Sequence, residues 1–113
     1  MKTYKLLNSA MMPQAGTYEM KKIPFEEFKK IISDKNVKID SYIGYPQNVQ
    51  LIKDWTGREI ELNRKQAEVF DGDEMLVMKL KYRVANPSEK GKEVDESDFE
   101  FFRIKYYDKK LIM

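Results

Sequence analysis

The strongest constraint on this chain lies in its last third. From Met75 to Val84 the side chains alternate, with Leu76, Met78, Leu80 and Tyr82 on one face and Lys79, Lys81 and Arg83 on the other. A period of two is the signature of a β-strand with one face turned to a core. Phe99 to Tyr107 repeats it, placing Phe102, Ile104 and Tyr106 inward and Arg103 and Lys105 outward. Strands of this kind need further strands beside them and a covering layer, so the rest of the chain is read for both.

Tyr4 to Leu7 reads as a short first strand, ended by the turn-forming pair Asn8-Ser9, and Met11 to Gly16 reads as a loop. Thr17 to Ile23 reads as a second strand, with Tyr18 and Met20 facing one way and Glu19 and Lys21 the other. Pro24 suits a first helical position, and Phe25, Phe28 and Ile32 form an apolar stripe opposite the pair Glu26 and Lys30. Lys35 to Lys38 is polar and ends that helix. Pro46 to Trp55 reads as a second short helix through Val49, Leu51, Ile52 and Trp55, with Tyr45 near its N-cap and Gly57 as its stop. Arg58 to Leu62 alternates again, Lys65 to Phe70 suggests another strand, and Asp71-Gly72-Asp73 reads as the turn before Met75. Ala85 to Asp98 is a charged loop with a little helix near its end. The expectation is one domain over residues 1–113, of α/β (α+β) class. It is a two-layer fold with a mixed five- to six-stranded sheet and two short helices.

Composition removes whole classes of chemistry. The 113 residues contain no Cys and no His. Disulfide scaffolds, thiol nucleophiles, thiolate metal sites and the usual acid–base group of neutral pH are therefore excluded. With 21 Lys plus Arg against 19 Asp plus Glu, the net charge of +2 demands neither duplex DNA nor a membrane as partner. No apolar run approaches the roughly 18 residues of a spanning helix, and the start lacks the apolar core of a signal peptide. A soluble cytoplasmic protein without a cofactor is expected. Asp71-Gly72-Asp73-Glu74 lacks the ligand order of a calcium loop, and no metal is expected there.

What remains is a set of groups suited to phosphates and bases. Gly44-Tyr45-Pro46-Gln47-Asn48 opens the second helix, where unpaired N–H groups and a partial positive charge attract anions. Gly44 lets a ligand approach the backbone, Tyr45 offers a ring and a hydroxyl, and Gln47 and Asn48 offer amides. Asn63-Arg64 and Arg83 lie near strand ends, where guanidinium groups can grip phosphate in a bidentate way. Asn8 and Ser9 can hydrogen-bond a base or a phosphate. Taken singly, these residues read more readily as a helix start, surface arginines and turn caps. The aromatic-rich strand from Phe99 reads either as a base-stacking face or as half core and half dimer contact.

In order along the chain stand Leu7-Asn8-Ser9, Ile43-Gly44-Tyr45, Thr56-Gly57, Asn63-Arg64, Gly72-Asp73 and Tyr82-Arg83. This series, over roughly residues 4 to 107, resembles the viral ring nucleases, small type III anti-CRISPR proteins of archaeal viruses and phages. The resemblance implies a homodimer with a mixed sheet flanked by helices. It implies a pocket across the two-fold axis that binds cyclic tetra-adenylate and cleaves it without metal. In that reaction the ribose 2′-hydroxyl attacks the adjacent phosphorus, and a His protonates the leaving 5′-oxygen.

That His belongs to the family's Ile-Gly-His segment, and here its place is taken by Tyr45. An imidazole with a pKa of about 6.5 gives up a proton readily at neutral pH, whereas a phenol at about 10 is a poorer acid. The stretch after Arg83 also departs, because Val84-Ala85-Asn86-Pro87 interrupts the helix expected there and Glu89 has no clear counterpart. The preferred expectation is a dimeric viral protein in the host cell cytoplasm. It would bind and sequester a cyclic nucleotide messenger through Asn8, Ser9, Gly44, Tyr45, Gln47, Asn48, Asn63, Arg64 and Arg83, and so inhibit antiviral defence. The alternatives are a slow ring nuclease with Tyr45 as general acid, and an inhibitor that binds a host defence protein.

Overall fold

The computed structural model describes residues 2–8, 15–65, 67–81 and 95–108. The elements run β1 (Lys2–Leu7), β2 (Thr17–Ile23), α1 (Phe25–Ser33), β3 (Val37–Tyr42), α2 (Pro46–Thr56), β4 (Glu74–Leu80) and β5 (Phe99–Tyr107), with a 3₁₀ turn over Glu96–Asp98. The strands form one five-stranded sheet in the order β2-β5-β4-β1-β3. β1 is parallel to both of its neighbours, pairing Leu7 with Tyr42 of β3 and with Val77 of β4. β5 runs antiparallel between β4 and β2. The mixed sheet and paired helices expected from the sequence are thus present.

Both helices cover the same face. Tyr4, Leu6, Leu76, Met78, Phe99 and Phe101 point from the sheet toward Phe28, Ile32 and Ile52 of the helices, and all of these side chains are buried. Aromatic rings knit this layer: Phe28 lies 4.5 Å from Phe101, and Trp55 meets Phe25 edge-on at 5.3 Å. The opposite face is covered by an extended segment that lays Ala67 and Val69 on Leu7, Met75, Val77, Ile104 and Tyr106. β4 and β5 are therefore apolar on both sides, where the sequence pattern marked only one. β5, read as a closing strand, lies inside the sheet.

Several expectations are corrected. Lys35 to Lys38 reads as the polar end of the first helix, with no strand expected before the second, yet Val37–Tyr42 is an edge strand. Its core-facing positions are Val37, Ile39 and Ser41, and the serine hides the alternation. Arg58 to Leu62 is not a strand, since it makes a single bridge, Leu62 to Ile43. Among the described residues of 65–70 there is no strand either. The alternation there comes from lying on an apolar surface rather than from pairing in a sheet. Asp71-Gly72-Asp73 is consequently not a hairpin turn: Gly72 donates to the Tyr106 carbonyl, and the Asp73 carboxylate accepts from the Phe70 N–H. Pro24 is the N-cap of α1 rather than its first residue, whereas Pro46 does open α2. Gly57 ends α2 with φ of 75°, in the left-handed conformation glycine adopts freely. Arg58 then donates from Nη1 to the Asp34 and Ile32 carbonyls, satisfying the end of α1.

Candidate functional site

The parallel pairing of β1 with β3 brings Asn8, which follows Leu7, beside Ile43, which follows Tyr42. Gly44 and Tyr45 come next, and α2 starts at once. The carboxyl ends of parallel strands are where open α/β sheets leave room for ligands. Tyr45 is the N-cap, in extended backbone conformation, and makes no side-chain cap bond. Its carbonyl accepts from the Asn48 and Val49 N–H groups. Pro46 has no N–H to give, so the first backbone N–H of the helix belongs to Gln47. The first turn of α2 holds no acidic residue, so its positive end is not neutralised locally. Tyr45 stands 61% exposed. Gln47 is exposed as well, and Asn48 is half-buried.

The segment from Glu61 to Lys65 is tied against this end of β3. Ser41, whose side chain is buried, donates to the Glu61 carbonyl at 2.6 Å and accepts from the Ile43 N–H at 3.3 Å. The Asn63 N–H donates to the Ile43 carbonyl at 2.8 Å. The Asn63 amide donates to the Ser41 carbonyl, and its side-chain oxygen accepts from the Lys65 N–H, both at 3.1 Å. Arg64 is thereby carried to Gly44, where its Nε donates to the Gly44 carbonyl at 3.1 Å.

The structure thus brings together Asn8, Gly44, Tyr45, Gln47, Asn48, Asn63 and Arg64 at one end of the sheet. Ser9 and Arg83 lie outside the described residues. Sequence reasoning passed over Ser41, although a lone hydroxyl in the series Val37, Ile39, Ser41, Ile43 is the signal that would have found it. Tyr42 points to the other face, where burial and then the neighbouring Asp40 carboxylate, which accepts its hydroxyl at 3.3 Å, raise its phenol above the ordinary value.

A different ionic group occupies the opposite end of the sheet. Lys2 and Arg103 flank Glu74 at 2.7 and 3.4 Å, and both cations also lie over the Tyr4 ring. Burial pushes the Glu74 carboxyl up, but the Lys2 hydrogen bond and the charges of Arg103 and Lys2 outweigh it and hold the group below the usual range.

The fold is shared with known proteins. Residues 4–107 match the family described as STIV B116-like. The chain belongs to the STIV B116-like family. ORF117 of Acidianus two-tailed virus is 31% identical over 83 residues, 71% of each chain. The solved structure of B116 of Sulfolobus turreted icosahedral virus has the same fold, with a TM-score of 0.68 at 18% identity, covering 91% of this chain and 97% of that one. These STIV B116-like relatives are proteins of archaeal viruses. Among the described residues no helix is long and apolar enough to cross a membrane.

Proposed function

We propose that this chain captures a cyclic oligonucleotide second messenger inside an infected host cell and withholds it from antiviral defence. The observation that carries the reading is the placement of Arg64. Its guanidinium rests on the Gly44 carbonyl, beside the uncapped start of α2 and within the same strand-end region as Asn8 and the exposed Tyr45. A cyclic nucleotide presents phosphodiester anions and flat bases. Arg64 and the Gln47 amide suit the first, and the Tyr45 ring suits the second. The archaeal-virus relatives fit a protein acting during infection. The resemblance of the motif series to the viral ring nucleases adds Ser9 and Arg83 to the ligand set and implies a pocket completed across a two-fold axis by a second copy of the chain.

Holding rather than cutting follows from Tyr45. Cleavage by an adjacent 2′-hydroxyl needs a proton donor for the departing alkoxide, and a phenol is slow in that role at neutral pH. The test is calorimetry with cyclic di-, tri- and tetranucleotides and cyclic ADP-ribose isomers, followed by denaturation and chromatography of the released ligand. Binding with intact ligand recovered is expected. No heat with any member of the panel ends the reading. Recovery of linear product replaces it with a slow ring nuclease, for which Tyr45→Phe tests the acid. A second reading, capture of a host defence protein, is favoured by the exposed apolar pair Tyr45 and Leu62, at 61% and 49%. A partner retained by wild type and lost in a Tyr45→Ala, Leu62→Ser variant, with no nucleotide bound, would support it.

A further inference from the structure

The described glycines are glycine for different reasons. Gly57 and Gly72 have φ of 75° and 85°, and a Cβ at either would meet nothing within 4 Å. Their backbones require glycine. Gly44 is the reverse case. Its φ is not positive, so its backbone does not demand glycine, but a Cβ there would lie 3.3 Å from Arg64 Cγ and 3.8 Å from Arg64 Cα. The missing side chain makes room for Arg64. The same residue supplies the carbonyl that takes the Arg64 Nε–H.

Asn63 works from the other side. Its backbone N–H and both ends of its side chain are bonded to backbone atoms of Ile43, Ser41 and Lys65, which fixes the main chain immediately before and after Arg64. A guanidinium can grip an anion side-on, through Nε and one Nη, or end-on, through both Nη groups. With Nε given to Gly44, only the end-on edge remains.

We infer that Gly44 and Asn63 are positioning residues for Arg64, and that together they present a single end-on guanidinium edge to one phosphodiester of the ligand. The inference deepens the nucleotide-capture reading and rests on it for the identity of the anion. Two non-bridging oxygens of one phosphodiester match the two Nη groups, so Arg64 takes one phosphate and does not bridge two. A lysine at position 64 has no fixed planar edge and cannot replace it.

The test is the Nε–H resonance of Arg64 in proton–nitrogen correlation spectra of the full chain, assigned by its loss in Arg64→Lys. In the wild type it should be protected from exchange without any ligand, and should stay so when cyclic tetra-adenylate is added. In Gly44→Ala the protection should disappear while the amide spectrum of the sheet is preserved. Cyclic tetra-adenylate, if bound by the wild type, should bind about tenfold more weakly to this variant, the scale of one charge-assisted hydrogen bond. Should Gly44→Ala not fold, Asn63→Asp, which loses the donor to Ser41, gives the same readout. An unprotected Nε–H in the wild type, or full protection in a folded Gly44→Ala, overturns the inference. Protection that behaves as stated, with no nucleotide in the panel bound, leaves the positioning role intact and removes only the nucleotide reading.

Discussion

Replacing Ser41 tests the tie between β3 and the segment that carries Arg64. The Ser41 hydroxyl joins two backbone groups of different exposure. Glu61 is exposed, so its carbonyl, which accepts from Ser41 at 2.6 Å, finds water once the hydroxyl is gone. The loss there is one net hydrogen bond, about 1 kcal/mol. Ile43 is fully buried, and the bond from its N–H to Ser41 Oγ is longer, at 3.3 Å. An N–H stranded there costs about 1 kcal/mol more, at the low end for a buried donor because the bond was long. The sum is about 2 kcal/mol.

A Ser41→Thr and Ser41→Val pair isolates this term. The two side chains are close in volume, so any packing strain at a site only 6% exposed is common to both, while Val alone lacks the hydroxyl. Urea unfolding followed by the fluorescence of Trp55, the single tryptophan, should place Val about 2 kcal/mol below Thr with equal m-values, or roughly 8 °C lower in Tm. A gap under about 0.5 kcal/mol would show that the Ser41 hydroxyl is not what ties the two segments, and the reasoning fails.

Phe28→Ala removes a fully buried ring 4.5 Å from Phe101, and should cost about 3–5 kcal/mol in the same urea assay. Glu74 is held below its ordinary value in the folded state, so its contribution is present above the unfolded carboxylate range and is lost as pH falls through the folded value. Glu74→Gln should therefore be less stable than wild type near neutral pH, and the difference should shrink on acidification; a pH-independent difference would mean the Lys2–Glu74–Arg103 group is not the source. Tyr45→His places an imidazole at the start of α2. Chromatography of cyclic tetra-adenylate digests should then show linear product from the variant and intact ring from wild type, and the same result for both, cut or uncut, would exclude Tyr45 as what decides cleavage.

The elements legible in the sequence are those whose local chemistry and tertiary burial agree. β2 and β5 follow the expected bounds, Thr17–Ile23 and Phe99–Tyr107, and α2 starts at Pro46 and stops at Gly57 as its proline and glycine direct. β3 escaped because an edge strand needs fewer apolar residues, and one of its inward positions is a serine satisfied by backbone atoms from elsewhere. The false strands over 58–62 and 65–70 show the converse. Ile60, Ala67 and Val69 alternate because each segment lies along an apolar surface, and a period of two records burial rather than pairing. For the site, Gly44, Tyr45 and Arg64 could be named from residue type. The contact of Gly44 with Arg64 could not, since it depends on a long-range tie through Ser41 and Asn63 that no local pattern encodes.

Net charge hid the site for a related reason. A balance of +2 over 113 residues averages two ends of the sheet that are electrostatically unlike. At the amino ends of the parallel strands, Lys2 and Arg103 converge on Glu74, which compensates one of their two charges. At the carboxyl ends, the start of α2 has no acidic residue in its first turn, and among the described residues Arg64 is paired with no carboxylate. A cation whose Nε is fixed by a neutral carbonyl keeps its full charge and loses much of its freedom. An anion that meets it gains the attraction at a reduced entropy cost, because the guanidinium is already in place. Arg64, fixed through its Nε and without a carboxylate partner among the described residues, therefore stands beside the positive end of α2, and that coincidence makes this end of the sheet the place to look for an anionic ligand.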